Sequence, residues 1–179
     1  MKNKDYLKSI IRYIEDNEEL ADYLSGECDF DIEDDEELAD DLNFLTENTE
    51  SNYKLEPFAC DGEGGIYALL DGEMVGMIDS EGQAGIIAKN IRDFFSIIIH
   101  CGCLEDFGKF DWLEDPDEFS EHFIEIEDDF LEDFSEEFQL ENDMQKIYQM
   151  FREAVLTQPQ LKITATSSDY EDYQQIFEM

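Results

Sequence analysis

Apolar residues recur at spacings of three and four in the first part of the chain, with acidic residues between them. Such a pattern is typical of amphipathic helices that bury one face. It predicts a helical segment within residues 6–24 and a second helix over about residues 34–48. The side chains predicted to face inward are Leu7, Ile10, Ile11 and Ile14 in the first segment, and Leu38, Leu42 and Leu45 in the second.

Short apolar runs replace the helical pattern between residues 53 and 90. They cover residues 55–60, 66–70, 74–79 and 85–88, and the gaps between them hold glycine-containing turns such as Asp-Gly. Glycine supplies the positive φ that tight turns need, so the block predicts an antiparallel meander. Residues 66–70 are apolar at every position, which predicts a central strand covered on both faces.

Helical spacing returns after Asn90, which is predicted to cap a helix that reaches His100. Between residues 117 and 139, phenylalanines spaced by three and four form one apolar stripe. This stripe predicts an amphipathic helix, whole or broken once, with an acidic outer face. Further predicted elements are a helix over residues 144–156, an edge strand over residues 161–165 that returns to the sheet, and a short closing helix over residues 170–177.

Together these elements predict an α+β fold. We expect a single domain over residues 1–179, with a central, twisted antiparallel sheet of about four to six strands and flanking helices. Residues 53–103 are its core strand-turn-helix block, and residues 114–156 are its acidic helical part.

The charge of the chain narrows the classes of partner. It carries 49 acidic and 11 basic residues, a formal net charge of -38 over 179 residues. A polyanion of this kind is repelled by phosphate backbones and by anionic membranes, which argues against nucleic-acid and membrane partners. It attracts basic proteins instead. Fourteen phenylalanines recur at structural spacings, so the chain is predicted to fold despite its charge. The sequence carries no indication of the oligomeric state.

The cysteines and the apolar runs indicate the compartment. Cys28, Cys60, Cys101 and Cys103 lack the spacing of a disulfide framework, so we expect four free thiols. The chain begins MKNKDYLK without a hydrophobic signal region, and no apolar run approaches the length of a membrane span. A reduced, soluble, cytoplasmic protein is predicted.

The sequence offers little for catalysis or for a metal. His100 and His122 stand in no nucleophile motif and are interpreted as structural or surface residues. The His-Cys-Gly-Cys run at residues 100–103 lacks a second ligand pair, and the loop starting at Asp29 departs from the calcium-binding pattern at its sixth and twelfth positions. Residues 61–65 are interpreted as a turn and not as a phosphate-binding loop, because a strand follows them and the GK[ST] motif does not. We therefore predict no catalytic residues, no cofactor, no metal site and no enzyme.

The acidic runs are the remaining candidates for function. Charge runs are commonly solvated surface, and halophilic adaptation is one form of that interpretation. Here, however, the charge is concentrated in residues 27–41 and 114–141, which favours a binding role for at least one of these faces. The candidate contacts are either Asp31, Glu33, Asp34, Asp35 and Glu36, or Glu125, Asp128, Asp129, Glu132 and Asp133.

The central block also resembles a known family. Residues 57–70 read PFACDGEGGIYALL and residues 75–88 read VGMIDSEGQAGIIA, followed by a phenylalanine-containing helix. Over about residues 53–103 this is similar to the SUKH superfamily, which takes in fungal cell-wall regulators and many immunity proteins of bacterial polymorphic toxin systems. The matching positions are scaffold residues, and the chain lacks the upstream proline- and glycine-rich stretch of the family.

The resemblance implies an α+β fold and a protein that binds and neutralises one toxin, often a nuclease. Nuclease domains are commonly basic, so a strongly anionic inhibitor fits independently through electrostatic complementarity. We therefore hypothesise an immunity protein, or antitoxin, whose partner is a cognate basic toxin domain. The alternative hypotheses are an acidic regulatory scaffold or nucleic-acid mimic with several basic partners, and an enzyme or calcium-dependent binder.

Overall fold

The structure is a computed structural model that describes residues 3–177. The described chain forms an α+β fold, as predicted from the sequence. Its helices are α1 (Asn3–Glu15), α2 (Glu18–Cys28), α3 (Asp35–Leu45), α4 (Ile91–Cys101), a 3-10 helix (Leu104–Lys109), α5 (Pro116–Glu121), α6 (Asp129–Glu137) and α7 (Met144–Val155). Its strands are β1 (Thr49–Ser51), β2 (Leu55–Cys60), β3 (Ile66–Leu70), β4 (Met74–Ile78), β5 (Gln83–Ala88), β6 (Ile163–Ala165) and β7 (Gln174–Gln175).

Polar side chains cap the N-termini of α3 and α4. Asp34 precedes α3 and accepts a hydrogen bond from the Glu37 backbone N–H at 2.9 Å. Asn90 does the same for α4, where it accepts from the Asp93 backbone N–H at 2.8 Å. Each bond satisfies an N–H group that has no partner inside its helix, so the predicted cap at Asn90 is confirmed.

The predicted meander is confirmed as the central sheet. Within the described residues the sheet has five strands in the order β2-β3-β4-β5-β7. The pairs from β2 to β5 are antiparallel, and every residue of β3 is buried, as expected for a strand covered on both faces. β7 adds to β5 in parallel, through Gln83–Gln174 and Ala84–Gln175. The sheet is therefore antiparallel except at that edge.

The two faces of the sheet bury different sets of residues. Tyr67 and Leu69 of β3 point into the larger core, which α1, α2, α4, α6 and α7 help to form. Ile66 and Ala68 point to the other face, where Leu38 of α3 covers them. The alternation along β3 follows from the two-residue repeat of a strand. α3 therefore packs on one face of the sheet, whereas α6 belongs to the core on the other side.

Two predictions for the last part of the chain are wrong. The strand predicted over residues 161–165 forms only at Ile163–Ala165 and pairs with β1 in a separate two-stranded ribbon, not with the sheet. Residues 170–177 form no helix. Instead, Gln174 and Gln175 add to the edge of β5, and Ile176 and Phe177 are buried in the larger core. An unpaired sheet edge here outcompetes local helix formation.

Two predicted helical segments are interrupted. The first breaks after Glu15, where the Asn17 side-chain amide donates to the Tyr13 carbonyl at 2.6 Å and closes α1. The phenylalanine stripe of residues 117–139 breaks once, because residues 122–128 are not helical and separate α5 from α6. The acidic part of the chain is thus two short helices joined by an extended segment.

Candidate functional site

The first predicted acidic set surrounds the start of α3 beside the outer strand of the sheet. The Asp31 backbone pairs with Cys60 at the end of β2, with N–O distances of 2.8 and 3.0 Å. Asp34 is committed to capping α3, whereas Asp35 and Glu36 are exposed in its first turn. The structure therefore brings this set together at one helix end.

Glu33 is the member of this set with the least satisfied carboxylate. Its Oε2 is buried and has no hydrogen-bond partner among the described residues. Burial raises the pKa of Glu33; contact with the Cys60 thiol lowers it, and the nearby carboxylates of Asp41 and Glu37 raise it again. These same neighbours show that the Glu33 carboxylate faces the side of α3 and the end of β2.

An exposed aromatic residue lies further along α3. Phe44 is 79% exposed, although a phenylalanine ring is strongly apolar. Asp41 precedes it by three residues and Glu37 by seven, so these three side chains form one stripe along the helix. Leu38, which is buried, faces the sheet, and the stripe runs along the exposed flank of the helix. From Glu33 to Phe44 the structure therefore presents a line of carboxylates that ends in an apolar ring.

The sequence prediction missed Phe44 as a candidate. The available signal was its register, since Phe44 falls outside the stripe of Leu38, Leu42 and Leu45 that was predicted to face inward. Single exposed apolar residues are common on protein surfaces, so it is the stripe of carboxylates leading to Phe44 that makes this ring a candidate contact.

A groove adjoins the start of α3. It has a volume of about 520 Å³ and lies between α1, residues 32–35 and the outer strand β2. Its floor is apolar and its rim is charged; Lys4 on the rim is paired with Glu56, with Nζ 2.7 Å from Oε2. Glu33 lines the groove as well as facing α3.

The second predicted acidic set lies on the other side of the sheet. Glu125 and Asp128 are exposed in the extended segment before α6, and Asp129, Glu132 and Asp133 are exposed on α6 itself. The buried residues of α6 are Leu131, Phe134 and Ser135. Nearby Ile124 is only 36% exposed. This set is therefore strongly acidic but lacks an apolar group as prominent as Phe44.

His100 belongs to the interior next to this second set. Its Nδ1 lies 2.7 Å from the Ile124 carbonyl oxygen and its Nε2 lies 2.9 Å from Oδ1 of Asn142. Its ring stacks on Phe123 with a centroid separation of 4.6 Å. The buried imidazole thus ties the extended segment to α4, which agrees with the structural role inferred from the sequence.

A third acidic group lies at the turns of the sheet and was not predicted. The Asp61 Oδ1 atom accepts from the backbone N–H groups of Glu63 at 2.8 Å and Gly65 at 2.7 Å. Asp79 makes the equivalent two bonds, at 3.0 and 2.7 Å, in the turn between β4 and β5. Gly64 in the β2–β3 turn and Gly82 in the β4–β5 turn have the positive φ angles, 95° and 88°, that these turns require.

Glu105 of the 3-10 helix lies beside these turns. Burial raises its pKa to about 7, and the charges of Asp79, Asp61, Glu63 and Asp29 contribute to the rise. Five carboxyl groups from distant parts of the chain therefore share one end of the sheet. The signal was absent from the sequence because it depends on how the turns and the 3-10 helix are brought together.

The structure also bears on the cysteines, on metal binding and on membrane-spanning helices. Cys28, Cys60, Cys101 and Cys103 are all free thiols. Within residues 3–177 no group of three or more His, Cys, Asp or Glu side chains is arranged to hold a metal ion. Of the helices that the structure describes, none combines the length and the apolarity needed to cross a bilayer.

Comparison of the chain with protein-family models, with curated proteins and with solved structures finds no match.

Proposed function

We propose that the protein binds a basic protein domain and neutralises it, as an immunity protein neutralises its cognate toxin. The observation that carries this proposal is the exposed Phe44 on the acidic face of α3. Exposed aromatic rings are frequent anchors of protein interfaces, because their burial supplies affinity that surface charges alone do not. The surrounding carboxylates supply specificity and a fast association rate.

The two acidic surfaces are not equivalent in this proposal. The α3 surface combines charge with Phe44 and with the neighbouring groove. The α6 surface, on the opposite side of the sheet, offers carboxylates and the less exposed Ile124. We therefore assign the contact to α3 and its N-terminal approach, and we assign to α6 a supporting role in long-range attraction.

The charge of the molecule favours a basic partner of the nuclease type. A net charge of -38 steers positively charged domains toward the protein and disfavours phosphate ligands. The resemblance of residues 53–103 to the SUKH superfamily points to the same class of partner. An inhibitor of this class acts by covering the active site or substrate groove of the toxin, so we propose binding and not catalysis.

The direct test is to use the purified protein as bait in a lysate of its native cells. The captured proteins are washed at about physiological salt and then at high salt, and they are identified by mass spectrometry. The proposal predicts a single stoichiometric basic partner that survives the high-salt wash. The Phe44→Ala protein is the matched bait, and we expect it to lose that partner.

The alternative hypothesis predicts a different outcome. A regulatory scaffold or nucleic-acid mimic would capture a diffuse set of basic proteins, which would be lost on the high-salt wash and captured equally by Phe44→Ala. That result would contradict an immunity function and would show that the charge attracts basic proteins in general.

A further inference from the structure

We propose that the groove between α1 and β2 receives an arginine side chain of the basic partner. This inference rests on the proposed function, because the groove continues the α3 surface assigned to partner binding. Glu33 joins the two: it lines the groove, and its carboxylate also neighbours Glu37 and Asp41 of the α3 stripe. One partner can therefore contact Phe44 and the groove together.

The charges around the groove favour a cation. Glu56 is paired with Lys4 and contributes no free charge. Lys8 and the carboxylates of Glu15, Glu33, Asp34 and Asp35 also line the groove, and none of them forms an ion pair with a residue in the range 3–177. Negative charge thus remains in excess at this rim, and a positively charged group entering the groove is attracted to it.

Glu33 provides a specific acceptor for that group. Its side chain lines the groove and is only partly buried, so a donor that enters the groove can reach it. A guanidinium has five N–H donors in a planar fork and suits a carboxylate with a second carboxylate nearby, such as that of Asp34.

The floor of the groove suits the rest of an arginine side chain. Ile11, Ile32 and Pro57 are partly exposed apolar residues along it, and an arginine stem packs on such surface while its head remains with charged groups. Strand addition to β2 is a poorer use of this edge. Pro57 has no backbone N–H, and the pairing of β2 with β3 shifts register between Pro57 and Ala59.

The test measures amide chemical shifts of the full-length protein during titration with two capped peptides. One peptide carries a single arginine between leucines, and the other carries the neutral isostere citrulline at the same position. We expect saturable shifts in residues 7–11 and 32–35 with the arginine peptide, and about tenfold weaker binding of the citrulline peptide, as for loss of a charged hydrogen bond.

Substitutions then separate the groove from general attraction. Glu33→Gln should weaken binding of the arginine peptide about tenfold. Glu47→Gln removes the same charge from an exposed position outside both the groove and the α3 surface, and should leave binding within about twofold. Ile11→Thr reduces the apolar floor while it leaves every charge in place, and it should also weaken binding.

Three results would overturn the proposal: equal binding of the two peptides, equal binding by Glu33→Gln and the native protein, or shifts that spread over all acidic surfaces without saturation. Failure of the groove is distinguishable from failure of the proposed function. If Glu33→Gln and Ile11→Thr retain the captured partner while Phe44→Ala loses it, the groove assignment is wrong and the function stands. If the peptides bind as expected but no single partner is captured, the groove assignment stands and the proposed function is wrong.

Discussion

Phe44 is the residue whose position departs most clearly from what folding alone requires. At 79% exposure its ring contributes little to the core. We therefore expect Phe44→Ala to change the free energy of unfolding by no more than about 0.5 kcal/mol. As an interface anchor it should instead cost ~2 kcal/mol of binding, or roughly a 30-fold rise in the dissociation constant.

Urea unfolding and calorimetric titration with the captured partner measure these two quantities. Leu38→Ala is the matched control, because Leu38 lies on the same helix but is buried against the sheet. It should lower stability by about 2–5 kcal/mol. Equal affinity of Phe44→Ala and the native protein would show that the ring is not an anchor.

Glu105 predicts a pH dependence of stability. The folded state raises its pKa from 4.5 to about 7, so the folded protein holds a proton there that the unfolded chain has released. The stability from this group is fully present below about pH 4.5 and is lost as the pH rises through about 7. Glu105→Gln removes the titrating charge and should raise the thermal midpoint at pH 8 but not at pH 4.

The effect of Glu105→Gln is limited by the partial exposure of the carboxyl group. We expect a rise of about 2–4 °C at pH 8, which corresponds to ~1 kcal/mol for a domain of this length. Glu50→Gln, at an exposed position on β1, is the control and should show no comparable rise. A midpoint gain of the same size at both pH values would rule out titration of Glu105 as its cause.

For individual residues, the sequence predicted which side chains are candidates for binding better than it predicted their surroundings in the fold. It identified Glu33 and Asp34 as candidates, but only the fold shows that Asp34 is committed to a cap and that Glu33 has a buried, unpartnered oxygen. The convergence of Glu105 with Asp61 and Asp79 arises from contacts between distant turns. Periodicity reports which face a residue lies on, and it carries no information about such long-range neighbours.

At the scale of elements, the success of the sequence prediction depended on the strength of the local signal. The glycine-bearing turns and apolar runs placed β2 to β5 and α4 correctly. The alternation in residues 161–165 was real, since Ile163 is buried and Thr164 exposed, but alternation does not identify a pairing partner. Tyr170, Tyr173 and Phe177 mimic helical spacing, whereas the open edge of β5 recruits the segment as β7.

The choice between the two acidic elements can be decided by charge reversal. One variant replaces Asp35, Glu36 and Asp40 of α3 with lysine, and the other replaces Asp129, Glu132 and Asp133 of α6 with lysine. All six residues are exposed, so both variants should fold. We expect the α3 variant to associate with the partner at least about tenfold more slowly and with a flatter dependence on ionic strength.

The α6 variant carries the same change in net charge and is therefore the internal control. Its association should slow much less, because its charges act only through the long-range field. Stopped-flow measurements over a range of salt concentrations provide both quantities. A larger effect for the α6 variant would show that the contact surface lies on α6, on the opposite side of the sheet.

At the scale of the whole molecule, the net negative charge destabilises the folded state. With 49 acidic and 11 basic residues, like charges repel one another more in the compact state than in the unfolded chain. Added salt screens this repulsion over a Debye length of about 8–10 Å. We expect sodium chloride to raise the thermal midpoint steadily between about 0.05 and 0.5 M.

A charge-reduced variant provides the control for this salt effect. Replacing Asp22, Glu47, Glu121 and Glu171, which are exposed and outside the α3 surface, with the corresponding amides should raise the midpoint at low salt and reduce its dependence on salt. A native midpoint that does not change with sodium chloride would show that the charge is compensated locally and does not strain the fold.

As an immunity protein, the molecule is expected to protect cells from one basic partner through this acidic surface. The most direct measurement is the growth of cells that produce the captured partner alone, with the native protein, or with Phe44→Ala. We predict that the partner alone stops growth, that the native protein restores it, and that Phe44→Ala restores it poorly at equal abundance. A partner that is harmless when produced alone, or one whose toxicity the native protein does not relieve, would contradict the account.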